Sequence, residues 1–310
     1  MNIKNFILKT TLFFLLIVCL LNGTIFFLSN NQSDTFVYHV KKGKFANVIY
    51  RELYDDELII SSRAFSLFCF LTGTTKQLKA GYYIFPKHAS IYTINHYMVK
   101  GIHPEGKITI VEGMTENDVN EQIKHAPYLE KTYLTREDCG YLYPDTYHYE
   151  YGQNASVIIN KAKKKMNDVI EDVWSKRDRD IPIKTSKAMI VVASIIIREA
   201  PDISEFDNVA SVIYNRLAIR MHLGLCSTLV YVLNKSTLTK EDLNFESDYN
   251  TYKHYGLPPG PISFVSKASL EAATKYNKAF DYLYFLSADN KMYYAKTYKE
   301  HQRNINAYLK

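Results

Sequence analysis

Glu199 is the residue whose place in the sequence most directly suggests chemistry. It follows an apolar run from Ala188 to Ile197 that only Ser194 interrupts. Because an ionised carboxylate is costly to bury, such a group pairs with a cation or takes up a proton. Two interpretations follow: a solvated glutamate at a helix end, paired with Arg198, or a carboxylic acid that stays protonated near neutral pH and donates a proton.

The element that carries Glu199 must be buried, because its apolar run leaves no polar face for solvent. Its length favours a core helix, while the β-branched residues 195–197 leave a buried strand open. Pro201 ends the element in either case, since the residue before a proline is pushed out of the helical region. A second helix is predicted to begin near Ile203, so two elements meet where Glu199 lies.

The composition is that of a folded protein, with 47% hydrophobic and 23% charged residues among 310. This length fits two domains, or one large domain with an appendage. The net charge of +6 is modest and spread along the chain, so we expect no nucleic-acid partner. The four cysteines lack metal-ligand spacing, and we expect no metal, no cofactor and no disulfide network. Cys226 is interpreted as a small buried apolar residue.

The N-terminal segment predicts a membrane anchor. Residues 10–28 carry no charge and are rich in Leu, Phe and Ile, a length that spans a bilayer core of about 30 Å as a helix. No small-residue cleavage pattern follows, which favours an uncleaved signal anchor over a signal peptide. Lys4 and Lys9 place residues 1–9 in the cytoplasm as a tail. Residues 29–35 are then a linker, and the rest of the chain lies outside the cytoplasmic membrane.

The remaining chain predicts a mixed α+β fold in two parts. Residues 36–110 follow the order strand, helix, helix, strand, helix, strand, with helices at 47–58, 61–71 (Ser62 as N-cap) and 92–99. Residues 111–310 begin with a helix capped by Thr115 and Asp118. They continue with an aromatic-rich loop at 139–147, a helix at 156–174, the Glu199 element, a loop at 249–263, a short helix at 268–274 and a hairpin around 289–290.

Six segments together resemble one family, the membrane-anchored endolytic murein transglycosylases of the MltG/YceG type. The segments lie in the family's order at 110–115, 140–147, 193–200, 209–217, 249–262 and 281–285. The resemblance implies a LysM-like subdomain at 36–110 and a YceG-like catalytic domain at 111–310. It implies glycan strands of peptidoglycan as the substrate, and it leaves peptidoglycan synthases as candidate partners.

The activity implied by the resemblance is cleavage of the β-1,4 bond between N-acetylmuramic acid and N-acetylglucosamine inside glycan strands. The C6 hydroxyl of the muramic acid attacks C1 and leaves a 1,6-anhydro end, which terminates a growing strand. Glu199 matches the catalytic glutamate of the family. Ordinary glycosidases need two carboxyl groups, whereas a nucleophile already tethered to the sugar leaves both proton transfers to one.

The resemblance also places substrate-binding residues in the glycan cleft: Tyr249, Asn250, Thr251, Tyr252 and Thr228. Taken alone, the run 249–252 is a turn that precedes Gly256. Asn215 and Arg216 are interpreted as structural residues near the junction of the two helices.

The chain departs from the family in the segment 221–228. The family pattern is Met-x-Leu-Gln-Ser-Asp-Pro-Thr, and this chain keeps the Met, Leu and Thr but replaces the centre with Gly224, Leu225, Cys226 and Ser227. A second glutamate common in the family, two residues before the catalytic one, is Ile197 here. If this segment lies beside Glu199, its apolar residues should dry the site and raise the pKa of the acid further.

Two other functions are open at this point. The altered segment suggests a catalytically weak or silent membrane-anchored scaffold that binds peptidoglycan, although the presence of Glu199 argues against it. A true hydrolase needs a second carboxylate, for which Asp202, Glu246 and Asp248 are candidates.

Overall fold

The computed structural model describes residues 35–309, which form two compact units. The first unit extends to Gly106 and includes Glu150–Gly152, and the second contains Lys107–Tyr149 and the chain from Gln153 onward. The predicted cytoplasmic tail and membrane anchor lie outside the described residues. Within the range 35–309, no helix combines the length and the apolar character that crossing a bilayer requires.

The first unit packs three helices against a two-stranded antiparallel sheet. Strand β1 (Phe36–Val40) pairs with β2 (Gly81–Phe85), and the helices are α1 (Ala46–Asp55), α2 (Ser62–Leu71) and α3 (Ile91–Lys100). The core includes Leu53, Phe65 and Tyr83, which are fully buried. The predicted order of elements is confirmed, but the predicted N-cap of α2, Ser62, was wrong by one residue. Ser61, not Ser62, accepts the hydrogen bond that starts this helix, from the Ala64 N–H at 3.3 Å.

The other elements belong almost entirely to the second unit. They are β3 (Glu105–Ile110), α4 (Glu116–His125), β4 (Asp145–Glu150), α5 (Ala155–Ser175), α6 (Ser186–Glu199), α7 (Phe206–Ala218), α8 (Cys226–Leu233), α9 (Lys267–Ala272), β5 (Tyr284–Ala288), β6 (Lys291–Ala295) and α10 (Tyr298–Tyr308). Strand β3 pairs with β4, and β5 pairs with β6 in an antiparallel hairpin. Short 3-10 turns occupy Arg136–Asp138, Ile203–Glu205 and Asp242–Asn244.

Helix α6 is the centre of the second unit, and it settles the choice between helix and strand in favour of helix. Every residue from Met189 to Ile196 is buried, against α5, α7, α8 and α9. The hydroxyl of Thr185 starts the helix by accepting from the Ala188 N–H at 3.1 Å. Ala200 is already extended, as expected before Pro201, so the helix ends at Glu199.

Several other local predictions are confirmed. Thr115 and Asp118 form a reciprocal capping box at the start of α4, with the Thr115 N–H donating to the Asp118 carboxylate at 2.7 Å. Asp289 and Asn290 turn the final hairpin with positive φ angles of 47° and 59°. Helices α8 and α10 were not predicted, and the end of the predicted aromatic loop is strand β4.

Candidate active site

The carboxyl group of Glu199 lies at the point where α6 ends and α8 begins. The Ser227 hydroxyl donates a hydrogen bond to Glu199 Oε1 at 2.5 Å, and the Ser227 N–H donates to the same carboxyl group. Glu199 is half-buried, and enough protein surrounds its carboxyl group that burial raises its pKa above the usual 4.5. The two Ser227 bonds, and then the charges of Arg216 and Arg198, lower that pKa without cancelling the effect of burial.

The segment before α8 is held by threonines from two directions. The Leu225 N–H donates to Thr251 Oγ1 at 2.9 Å, and Thr228 Oγ1 donates to the Leu225 carbonyl at 2.9 Å. The Gly224 N–H donates to the Thr251 carbonyl at 3.0 Å. These bonds fix the backbone on both sides of Leu225, so the first turn of α8 is held in place beside Glu199.

Arg216 is a buried cation near the acid, with 7% of its surface exposed. Its Nε donates to the Leu283 carbonyl at 2.5 Å, another guanidinium nitrogen donates to the Leu223 carbonyl, and its plane lies over the Tyr284 ring. Burial lowers the pKa of Arg216, while the charge of Glu199 raises it. The structural interpretation of Arg216 is therefore confirmed, and its charge also acts on Glu199.

Asn215 also has the structural role predicted for it, because its side chain, like that of Arg216, donates to backbone carbonyls. Its side-chain N–H groups donate to the Phe280 carbonyl at 2.8 Å and to the Tyr282 carbonyl at 2.9 Å, and its oxygen accepts from the Tyr276 hydroxyl. These bonds tie α7 to the segment that leads into β5.

Ser194, the only polar residue in the apolar run, fastens the loop 249–263 to α6. Its hydroxyl donates to the Val191 carbonyl at 2.7 Å and accepts from the Ile262 N–H at 3.1 Å. The hydroxyl of Ser263 donates to the Ser194 carbonyl at 3.2 Å. The next residue, Phe264, exchanges backbone hydrogen bonds with the segment 113–114 at 2.7 and 2.9 Å.

Four of the five residues predicted to bind substrate have buried side chains with contacts inside the protein. The Asn250 amide donates to the Leu243 carbonyl at 3.0 Å and to the Phe245 carbonyl at 2.8 Å. Thr251 and Thr228 form the bonds around Leu225, and the Tyr249 ring packs on Tyr231 at 5.5 Å. Contact of these four residues with sugar stays a prediction.

Tyr252 differs from these four, because 36% of its surface is exposed. Its hydroxyl lies 3.0 Å from Cys226 Sγ. Burial of its hydroxyl end raises the pKa of Tyr252, and the neighbouring Cys226 and Glu199 add to that effect. Tyr252 thus offers an accessible aromatic surface close to the acid.

The altered segment lies beside Glu199 as expected, and burial raises the pKa of the acid, but the interpretation of Cys226 as a buried residue was wrong. Cys226 is exposed rather than buried, and its thiol meets the Tyr252 hydroxyl. Leu225 is a buried core residue, 4% exposed. The residue that reaches the acid is Ser227, which presents two donors to it.

The candidate second carboxylates serve other contacts. Asp202 accepts from the Ser204 N–H at 2.7 Å and starts the turn before α7. Glu246 is exposed and pairs with Lys253, and Asp248 is exposed as well. In the part of the chain that the structure describes, the groups that shift the pKa of Glu199 are one serine and two arginines, with no carboxylate among them.

A cavity of about 560 Å³ lies at the end of α6, where Arg198 and Ala200, the sequence neighbours of Glu199, line it. This volume is in the range of ligand sites. Arg198 lines it and donates to the Gly113 carbonyl at 3.2 Å. Its walls come from the segment after β3, the start of α4, the end of α6 and the turn into α7: Val111, Glu112, Gly113, Met114, Asp118, Ile197, Arg198, Ala200, Pro201, Asp202, Ile203 and Phe206.

Comparison with known proteins gives consistent matches. The sequence profile of the YceG-like family matches residues 38–307. An endolytic murein transglycosylase of Bacillus subtilis (strain 168) is 35% identical over 197 residues, 62% of this chain and 51% of that protein. One from Streptococcus pneumoniae (strain D39) is 28% identical over 176 residues, 54% of this chain and 31% of that protein. The chain thus matches about half the length of the first relative and less of the second.

A solved structure shares the fold. The 2.6 Å crystal structure of a YceG-like protein from Listeria monocytogenes aligns with a TM-score of 0.54 and 28% sequence identity. The alignment covers 88% of this chain and 99% of that one.

Proposed function

The chain belongs to the YceG-like family, and from this premise we propose that it is an endolytic lytic transglycosylase of peptidoglycan. Its substrate is the glycan strand, and it cleaves the β-1,4 bond between N-acetylmuramic acid and N-acetylglucosamine. The product carries a 1,6-anhydro muramic acid end. The observation that carries the proposal is Glu199, a carboxyl group with a raised pKa that hydrogen-bonds to Ser227.

In the first step Glu199 acts as the general acid. Because burial favours its protonated form, it holds a proton that it can donate to the oxygen of the glycosidic bond. The bond from C1 to that oxygen breaks, and positive charge develops on the muramic acid ring. General acid catalysis of this kind contributes about 10²- to 10⁴-fold to a rate.

In the second step Glu199 acts as the base. The carboxylate left by the first transfer is stabilised by the Ser227 donors and by Arg216 and Arg198. It accepts the proton of the C6 hydroxyl while O6 bonds to C1. One bond has broken and one has formed, the proton has returned to Glu199, and no water is consumed. The tethered nucleophile replaces the second carboxylate of ordinary glycosidases.

The surroundings of Glu199 support a polymer as the substrate. The exposed Tyr252 ring, on whose pKa Glu199 acts, and the cavity at the end of α6 can hold sugars of the strand. An aromatic ring offers an apolar face to the apolar side of a sugar.

We place the catalytic unit outside the cytoplasmic membrane, anchored by residues 10–28, where cleavage terminates nascent glycan strands. The apolar sequence of this segment and the two lysines before it support this topology. Fractionation tests it: the full-length protein is expected in the membrane pellet. A mature form that begins near residue 30 and stays in the soluble fraction would contradict the anchor.

The activity is tested by incubating the full-length protein in detergent with purified sacculi and analysing the products by mass spectrometry. We expect anhydro-muropeptides with the wild type and none with Glu199→Gln. Products heavier by one water, with reducing ends, would identify a hydrolase instead. Binding to sacculi without any release of fragments would identify the silent scaffold.

A further inference from the structure

We infer that Ser227 is a positioning residue for the reaction: it binds Oε1 of Glu199, leaves the proton on Oε2, and holds the carboxylate formed after the first transfer. This inference rests on the proposed function and extends it. It concerns a residue in the segment where this chain departs from the family pattern, which has proline at this position. Proline offers neither a hydroxyl nor an N–H, so the two donors that Ser227 supplies are absent from the pattern that the resemblance implies.

The geometry selects one oxygen of the acid. The Ser227 hydroxyl donates to Oε1 at 2.5 Å, and the oxygen that accepts is the one without a proton. In the acid form this bond therefore places the proton on Oε2, from which the proposed reaction takes it. A carboxyl group without this bond can carry its proton on either oxygen.

Ser227 is itself held in one place. Its side chain is 8% exposed, and it lies in the first turn of α8. The bonds of Thr251 and Thr228 to Leu225 fix the backbone immediately before that turn. The N-terminus of a helix also carries partial positive charge, which favours a carboxylate over the neutral acid. The hydroxyl, the N–H and the start of the helix thus act together on the ionised form.

The other groups that face Glu199 come from each neighbouring element. Arg216 on α7 and Arg198 on α6 favour the carboxylate. Tyr252, on the loop 249–252, and Cys226 next to it add no positive charge. With burial raising the pKa of Glu199, the loss of the Ser227 hydroxyl leaves the N–H, the start of α8 and the two arginines to oppose that effect. The pKa of the acid should then rise further.

The test compares Ser227→Ala with the wild type as full-length proteins on one glycan-strand substrate. We expect kcat to fall about 10- to 100-fold, the effect of a hydrogen bond to a charged group, with KM nearly unchanged. The loss of activity with rising pH, which reports deprotonation of the acid, should move to higher pH. Ser227→Thr keeps the hydroxyl and should restore most of kcat. Ser175→Ala, an exposed serine at the end of α5, is the matched control.

A direct titration separates this inference from the proposed function. The carboxyl ¹³C signal of Glu199, followed against pH in the wild type and Ser227→Ala, reports the pKa even if no anhydro product forms. A higher midpoint in Ser227→Ala supports the inference. Equal midpoints would overturn it, as would pH–rate curves that differ only in height or a loss of activity that merely follows a lower Tm. Wild-type protein that releases no anhydro product contradicts the proposed function alone.

Discussion

The second unit contains two glutamates, Glu199 and Glu116, that have similar hydrogen-bond partners but lie at opposite ends of their helices. Each accepts a hydrogen bond from a hydroxyl, Ser227 for Glu199 and Tyr231 for Glu116. Arg216 and Arg198 act on Glu199, and Arg136 lies over the ring of Tyr231. Glu199 is the last residue of α6, whereas Glu116 is the first residue of α4.

The two side chains differ in the helix end that they occupy and in how closed their surroundings are. A helix N-terminus favours negative charge, and a C-terminus opposes it. Glu116 is 5% exposed and accepts from the Tyr231 hydroxyl at 3.1 and 3.2 Å, closed inside the unit. Glu199 is half-buried at a C-terminus, and its sequence neighbours Arg198 and Ala200 line the cavity at the end of α6. A carboxylate becomes useful for proton transfer when its surroundings oppose its charge and still leave it reachable.

The largest effect expected from this comparison is on activity. Glu199→Gln keeps the shape of the side chain but removes the transferable proton, so glycan cleavage should fall by about 10²- to 10⁴-fold or more. Glu116→Gln is the matched control. Because Glu116 transfers no proton in the proposed reaction, this variant should change cleavage by less than about threefold. Anhydro-muropeptide release measures both. A large loss in Glu116→Gln without unfolding would show that the two sites are not separate in function.

Arg216, near Glu199, and Arg136, over the ring that binds Glu116, should differ in their effect on stability. Arg216→Met leaves the Leu223 and Leu283 carbonyls without their buried donor, which should cost roughly 3 kcal/mol of unfolding free energy. Arg136 is exposed and lies over the rings of Tyr231 and Tyr249, so Arg136→Met should cost about 0.5–1 kcal/mol. Urea unfolding followed by circular dichroism measures both values. Equal losses would contradict the distinction.

Removing the hydroxyl that binds Glu116 should have a smaller, purely structural effect. Tyr231→Phe keeps the ring packed on Tyr249 and leaves Glu116 without this donor. We expect a loss of about 1–2 kcal/mol in unfolding free energy and unchanged cleavage of glycan strands. If cleavage falls with stability intact, the Glu116 cluster takes part in the reaction after all.

The smallest effect expected is a pH dependence of stability caused by Glu199. Its folded-state pKa lies above the usual 4.5, so the folded protein binds this proton more tightly than the unfolded chain. Stability is therefore lost as the pH rises from 4.5 through the raised pKa. Since Glu199→Gln does not titrate, its Tm relative to wild type should increase over that range.

Glu246 provides a control of opposite sign for this measurement. Its pKa is lowered by Lys253, so ionisation of Glu246 favours the folded state. The Tm of Glu246→Gln relative to wild type should thus decrease slightly as the pH rises, by little because the pair is exposed. A Glu199→Gln difference that follows the same direction would show that burial does not dominate at Glu199.

The sequence was sufficient to predict a buried element that ends at Glu199, because the apolar run is closed by Pro201, but it left the choice between helix and strand to the structure. It was not sufficient for α8. Residues 229–233 of this helix are all apolar. Without polar residues on one face, the sequence shows no helical period there. The contact between Ser227 and Glu199 joins residues 28 apart and depends on how α8 packs, which local patterns do not encode.

The loop 249–252 shows a second limit of prediction from the sequence. The sequence grouped Tyr249, Asn250, Thr251 and Tyr252 without distinguishing their directions, because an irregular loop has no period that separates inner from outer side chains. In the structure Asn250 and Thr251 point inward to backbone groups, while Tyr252 is exposed. Hydrogen bonding to particular carbonyl and N–H groups decides these directions, and that is a property of the folded chain.

The hydroxyl of Ser194 has a consequence for the entropy of substrate binding. By fastening Ile262 to the buried middle of α6, it makes the loop that follows the Tyr252 region part of the core. The loop then loses its conformational freedom when the protein folds, and little is left to lose when a glycan strand arrives. The conformational entropy lost on binding should then come mainly from the glycan strand and little from this loop.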